Sequence, residues 1–408
     1  MKKALFLIQH FHKTKGVVIL LLERIKQLQS KMVEKEIAAA ILLYSRDVLY
    51  YANTARPCNL LITQNDATLF VRRAYEFVQR ETWISKENLV KGGDFAQIKQ
   101  ELEKAGIKRG TIGLELDVIP TKFYLNLKKT LPDFNFVDIS PLILKQRMIK
   151  DEREIKYLRK SCEQVEKAQA KAREVIRKGI TELELATEVE AELRRNGHEG
   201  HIYYRRFDAF LHYGTLSSGN NLFKITGFAY VVTGVGLSHA FPQGASKRII
   251  KEGDLIVIDL GGFHNGYYSD HARTYVVSEV NRKQLEVFRE LKEIREEILS
   301  NLRGGIAAYE LYRIALKKAR ETKYGEYFQG YGENKGEFIG HGLGLEMDEP
   351  PVIGAKEKIV LKANMTVTVE LNTIIPNWGA VKLEDTLVVK KDGYELLTKT
   401  EPELFIAG

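Results

Sequence analysis

In the segment GDLIVIDLGGFHNGYYSDHARTYVV, two aspartates, Asp259 and Asp270, stand eleven positions apart on either side of Asn265-Gly266. Asn-Gly between apolar runs is the strongest short signal for a β-hairpin with a two-residue turn. Across such a turn an odd separation puts both carboxylates on one face, about 4.5–8 Å apart at Cβ. Two ionised carboxylates that close on an apolar strand repel each other and lose hydration, and a shared cation relieves both penalties. Taken alone, the hairpin is explained equally well by one turn-capping and one solvated aspartate. A second hairpin tips the balance. Glu370 and Glu384 occupy the apolar contexts VTVELN and VKLEDT, either side of Pro376-Asn377-Trp378-Gly379. Their fourteen-residue separation brings them to one face only with an odd-length loop or a bulge, and Gly379 suits the left-handed position of such a bulge. Buried glutamates are rare unless paired or metal-bound.

His341 lies in Gly340-His341-Gly342-Leu343-Gly344. Flanking glycines permit the close backbone approach that a ligand-bearing strand or loop needs. Four carboxylates and one imidazole make a hard, oxygen-rich donor set suited to Mn²⁺ or Co²⁺, with Zn²⁺ and Fe²⁺ as further options. These are too many donors for one transition metal that keeps a water position. Two ions about 3.5–4 Å apart, sharing bridging carboxylates, fit better.

The elements that must position these residues fall into two groups. From residue 23 to 149 the chain reads as a small α/β domain. Strands are expected at Ile37–Tyr44, Leu60–Thr63, Thr68–Val71, Thr111–Leu116 and Asn135–Ile139, alternating with helices such as Phe95–Lys104. From residue 150 to 408 the pattern is α+β, with mainly antiparallel strands. Asp151 with Glu154, and Thr181 with Glu184, form capping boxes for two helices expected to stop at Gly179 and Gly197. A third helix starts at Asn281, carries Leu285, Phe288, Leu291, Ile294, Ile298 and Leu302 on one face, and ends at Gly304-Gly305.

Composition removes other classes. Lys and Arg number 62 against 54 Asp and Glu, a net charge of +8. The basic residues are spread over helix faces (Arg289, Lys292, Arg295) instead of forming the aromatic-interleaved stripe of a nucleic-acid binder, so no nucleic-acid partner is expected. Two cysteines, Cys58 and Cys162, with no CxxC point away from a disulfide framework and toward a reducing cytoplasm. Residues 1–22 read as an extension leading into a helix. The apolar run Gly16–Leu22 falls far short of the roughly 20 residues that span a bilayer, and no small-residue cleavage site follows it. No membrane association is expected.

At these motifs the chain resembles the pita-bread metallopeptidases: prolidase, aminopeptidase P and methionine aminopeptidase, with creatinase as a metal-free cousin. Their two aspartate ligands match Asp259 and Asp270, their His-Gly motif matches GHGLGLEMDEPPVI with His341, and their two-glutamate motif matches Glu370 and Glu384. ILLYSRDVLYYAN and VDISPLILKQRMIKDEREI are similar to the creatinase-type N-terminal domain of Xaa-Pro peptidases. The resemblance implies a C-terminal pita-bread domain, an antiparallel sheet with flanking helices, behind a smaller α/β domain. It also implies a homodimer and cleavage of peptides at Xaa-Pro bonds, as an aminopeptidase or dipeptidase. In such a site a hydroxide bridging two divalent ions attacks the carbonyl, Glu384 bridges the ions, and Glu370 acts as general base and then acid. His239, in SHAFPQGASKRIIKEGD, stands where the family places a substrate-facing histidine, though lining a loop explains it too. Seven residues beyond His341, many Xaa-Pro peptidases carry a second histidine that contacts substrate or shuttles protons; here it is Asp348. Asp accepts a proton or hydrogen bond but offers no imidazolium to an oxyanion. Leu371-Asn372 stand where Pro-Gly is common, and Lys382 where arginine is common. A creatinase-like hydrolase of a non-peptide amide and a non-catalytic binding module are the alternatives. The patch His201–Phe207 (HIYYRRF) reads equally as a pocket wall or an amphipathic strand.

Overall fold

A computed structural model describes residues 15–226, 229 and 231–408. The chain divides into two compact units, one running to Gln146 and including Arg205–Phe207, the other comprising Arg147–Tyr204 and Asp208–Gly408.

The first unit holds a six-stranded mixed sheet in the order β4-β3-β2-β1-β5-β6. Its strands are β1 (Ile37–Leu42), β2 (Cys58–Thr63), β3 (Ala67–Val71), β4 (Leu89–Lys91), β5 (Gly110–Leu114) and β6 (Phe134–Asp138). Its helices are α1 (Lys15–Glu34), α2 (Ser45–Ala52), α3 (Tyr75–Glu81), α4 (Phe95–Lys104), α5 (Thr121–Thr130) and α6 (Ser140–Arg147), the last ending on the first residue of the second unit. The apolar run Gly16–Leu22 is already helical, within α1, and Leu21 is fully buried. The expected lead-in thus belongs to the helix from residue 15 on, and residues 1–14 lie outside the described residues. Ile41, Leu61, Phe70, Ile98, Leu102, Ile112, Leu114 and Leu127 form this unit's core.

The second unit is built on a nine-stranded sheet whose main path runs β11-β10-β12-β13-β9-β8-β7. The strands are β7 (Gly214–Ser218), β8 (Leu255–His264), β9 (Tyr267–Val277), β10 (Phe338–Gly342), β11 (Glu349–Gly354), β12 (Thr366–Ile375) and β13 (Gly379–Lys390). β14 (Gly393–Leu396) pairs with β13, and β15 (Phe405–Ala407) runs parallel to β9. The helices are α7 (Glu152–Val175), α8 (Glu182–Arg195), α9 (Arg282–Asn301) and α10 (Ala308–Arg320). The capping boxes at Asp151/Glu154 and Thr181/Glu184 are present, and Asn281/Gln284 adds a third.

Alternation along the strands separates core from site. Val165, Ala168, Leu185 and Val189 of α7 and α8 cluster with Ile256, Ile258 and Leu260 of β8. Phe288, Leu291 and Ile298 of α9 cluster with Val369 and Leu371 of β12 and Leu383 of β13. Successive side chains point to opposite faces. Asp259 therefore faces away from α7 and α8, and Glu370 and Glu384 face away from α9.

Candidate metal centre

The β8–β9 turn is two residues long, with Asn265 at φ 51° and Gly266 at φ 85°, the left-handed pair that a tight hairpin demands. It fixes a register in which Asp259 pairs with Ala272 and Gly261 with Asp270, making the aspartates diagonal neighbours on one face. Glu370 and Glu384 are direct partners across β12–β13, joined by a three-residue loop. The odd loop length is as expected, but its left-handed residue is Asn377, at φ 59°, while Gly379 at φ 142° already pairs with Ile375. Asparagine tolerates that conformation, so the hairpin needs no bulge at the glycine. Ala272 is also opposite Glu384, across β9–β13. A methyl group at this central position keeps the floor of the cluster low enough for carboxylates from both sides to meet.

His341 is delivered by β10, where a Cβ on Gly340 would lie 2.1 Å from the Thr368 carbonyl oxygen and one on Gly342 2.4 Å from that of Pro350. The glycines are what let this strand close on its neighbours. His341 Nδ1 faces Gly342 O at 3.0 Å and Asp348 Oδ1 at 3.2 Å, while Nε2 lies 3.9 Å from Asp270 Oδ2. The Gly342 carbonyl acceptor at Nδ1 favours the tautomer with N–H at Nδ1 and leaves the Nε2 lone pair for a cation, the arrangement typical of ligating histidines.

Two overlapping donor groups result. Asp270, His341 and Glu384 form one, and Asp259, Glu370 and Glu384 the other, with the ligand atoms of each within 4.8 Å of one another. Glu384 is common to both, and both of its buried oxygens accept no hydrogen bond. The next residue, Asp385, points to the opposite face and is fully partnered by Arg273 and Arg295, each at 2.6 Å. Burial alone would raise the Asp385 carboxyl, but the two guanidiniums outweigh it and hold the pKa below the ordinary range. Glu384 has no such guanidinium. Burial, then the charges of Asp270 and Glu370, push its pKa well above the usual value, and burial with the Asp259 charge does the same to Asp270. Buried anions in this condition call for cations, and the hard donor set fits divalent ones.

Lys382 enters this cluster because it sits two residues before Glu384, on the same face of β13. Its Nζ lies 2.6 Å from both Asp259 Oδ2 and Glu370 Oε1, and 3.1 Å from Glu384 Oε2 without hydrogen-bond alignment. Burial works to strip its proton, but the surrounding carboxylates prevail and keep it an ammonium. Tyr204, in the patch His201–Phe207 that reads from sequence equally as a pocket wall or a strand, stands close enough to feel these charges. It lies in an irregular stretch, not a strand, and burial followed by the charges of Asp348, Asp270, Asp259 and Glu370 keeps its phenol protonated. His239 is on the exposed turn 237–240, and among the described residues it belongs to neither donor group. The buried polar side chain of that loop is Gln243, whose Nε2 donates to Phe210 O at 2.8 Å and whose Oε1 has no partner.

The family model described as Metallopeptidase family M24 matches residues 156–391. The chain belongs to this family. The Creatinase/Prolidase N-terminal domain model matches residues 24–149, completing the M24 layout of a creatinase-type domain before the pita-bread fold. The M24 chain is 33% identical to an Xaa-Pro dipeptidase of Pyrococcus horikoshii over 387 residues, 94% of this chain and 98% of that one. Among solved structures it is similar to an Xaa-Pro dipeptidase from Bacillus anthracis (27% identity, TM-score 0.82, covering 95% and 99%). It is also similar to an X-Pro aminopeptidase from Thermotoga maritima (26%, TM-score 0.76, covering 94% and 99%). This M24 member is a metallohydrolase that uses divalent metal ions.

Proposed function

We propose that this M24 enzyme hydrolyses the peptide bond on the N-terminal side of proline, using two divalent ions, Mn²⁺ or Co²⁺ by donor hardness. Asp259, Asp270, His341, Glu370 and Glu384 would hold them, with Glu384 common to both. The observation that carries the dinuclear reading is Glu384, shared between two donor groups with neither oxygen accepting a hydrogen bond. The substrate reading is supported by near-full-length similarity to proteins named Xaa-Pro peptidases.

Bound there, divalent ions supply Lewis acidity toward a carbonyl and toward water at neutral pH. The chain's own groups do the rest. Glu370 takes a proton from the attacking water and returns it to the leaving nitrogen. Where no ion is bound, the Lys382 ammonium balances Asp259 and Glu370 through contacts of 2.6 Å to each. The Tyr204 phenol, kept protonated, offers a donor to negative charge developing on the carbonyl oxygen.

Purified protein supplied with Mn²⁺ or Co²⁺ is expected to release the residue ahead of proline from short peptides, followed by mass spectrometry. Chelator and Glu370→Ala should each stop it. Failure to cut any Xaa-Pro peptide with either metal would sink the specificity. A reducing cytoplasm accords with Cys58 and Cys162 as buried free thiols. A homodimer is proposed on the family resemblance and is checked by light scattering.

A further inference from the structure

Asp348 brings a carboxylate to the site without belonging to either donor group. Its Oδ1 is 3.2 Å from His341 Nδ1, and 35% of its side chain is open, against 14% for Asp270 and 1% for Glu384. The position is firmly held. The next residue, Glu349, is buried in ion pairs with Arg147 and, at 3.3 Å, with Lys150, and it accepts from the Glu346 N–H at 3.1 Å. The site's ammonium, Lys382, is engaged by Asp259 and Glu370. The neighbour of Asp348 at 3.2 Å is the His341 imidazole, whose Nδ1 hydrogen bond goes to Gly342 O, and a neutral ring leaves the carboxylate charge uncancelled. The accessible edge of the centre thus carries a fixed negative charge.

We propose that Asp348 selects against a free carboxylate next to the scissile bond, so that this enzyme prefers Xaa-Pro bonds followed by further chain, or capped as an amide, over free Xaa-Pro dipeptides. The inference rests on the Xaa-Pro reading above. In a dipeptide the terminal carboxylate lies one residue past the attacked carbonyl, about 4 Å along the chain. A carbonyl seated among the ligands therefore brings it within roughly one Debye length, about 8–10 Å, of Asp348, where salt screens the repulsion only in part. Each further residue carries that charge up to about 3.5 Å away. A C-terminal amide removes it and offers N–H donors that a carboxylate accepts.

The test compares kcat/KM for Ala-Pro, Ala-Pro-NH₂ and Ala-Pro-Ala on Mn²⁺-loaded wild type and on Asp348→Asn, which removes the charge and keeps the side chain's size. Proline and prolinamide are titrated calorimetrically into the same proteins. Wild type should favour the amide and the tripeptide by about tenfold, a ratio that narrows at high salt. Prolinamide should likewise bind more tightly than proline. In Asp348→Asn both ratios should fall toward one, and Asp348→His should reverse them. Wild type cleaving Ala-Pro as well as its amide, with ratios unmoved by Asp348→Asn, would overturn the proposal. If none of the three peptides is cut, the Xaa-Pro reading has failed, and the proline-to-prolinamide ratio still decides the role of Asp348.

Discussion

Lys382 is the residue whose removal separates the metal-free from the metal-loaded protein. It is the ammonium set among Asp259, Glu370 and Glu384, and it is buried. Removing one partner of a buried charge pair typically costs about 3–5 kcal/mol. Lys382→Met is therefore expected to lose stability of that order in chelator and distinctly less with saturating Mn²⁺, as urea melts under the two conditions will show. Equal losses in both would mean that Lys382 does not compensate the carboxylates. A second residue-scale expectation concerns pH. His198 is buried with Nδ1 accepting from Gly200 N–H at 2.9 Å and Nε2 facing Gly261 O at 3.1 Å, which fixes the neutral ring. Burial lowers its pKa from 6.5 to about 4. Between those values the unfolded chain binds a proton that the folded chain refuses. Stability from this group is full above about pH 6.5, declines as pH falls to about 4 and levels below it. His198→Gln should flatten the slope of urea stability in that window by at most about 1.4 kcal/mol per pH unit. That these five residues converge was legible at this scale, because Asn265-Gly266 fixes a register and Gly340 and Gly342 mark a close approach. Tyr204 was legible only as part of the patch His201–Phe207, because an irregular segment has no period from which a side chain's direction can be read.

At the scale of elements, the same glycines make a sharper claim. A methyl at Gly340 would fall 2.1 Å from the Thr368 carbonyl oxygen, backbone that cannot swing aside. Gly340→Ala should force β10 away from β12, destabilise the protein by about 1–3 kcal/mol and weaken metal binding by displacing His341. Calorimetric Mn²⁺ titration with a parallel thermal melt tests this, and unchanged affinity would show that β10 tolerates the shift. Helix starts were read well because the capping residues of α7, α8 and α9 are local signals. Two helix ends were not: α9 stops at Asn301 with Leu302 already extended, short of Gly304-Gly305. The helix opened by Asp151 was expected to run to Gly179, yet α7 stops at Val175 and Ile176 turns extended. Gly179 N–H donates to Ile250 O at 2.9 Å and Ile250 N–H to Ile180 O at 2.8 Å. Backbone bonds to a segment seventy residues away draw the chain off the helix, and no local propensity records them. Likewise the β12–β13 loop uses Asn377 where a glycine was expected, since either residue can supply a positive φ.

At the scale of the whole molecule, all five proposed ligands come from β8, β9, β10, β12 and β13 of the second unit, while the sheet of β1 to β6 contributes none. The fold class was legible for the same reason as the site. Strands alternating with helices in the first part and acidic hairpins between capped helices in the second each bury one face, and that leaves few arrangements. Binding to the folded state alone stabilises by about 2.7 kcal/mol at one hundred times Kd. Here that energy acts where four carboxylates otherwise face one ammonium. Amide hydrogen exchange should therefore slow on adding Mn²⁺ in the ligand strands, most of all in β12 and β13, which bring Glu370 and Glu384 into direct register. Exchange in β1, β2 and β5 should stay the same. Glu384→Gln, which removes the carboxylate common to both donor groups, should abolish the slowing in all five strands together, whereas Asp259→Asn should leave part of it around His341 and Asp270. Glu384→Gln that still protects like wild type would mean that the two donor groups do not share a bridging carboxylate.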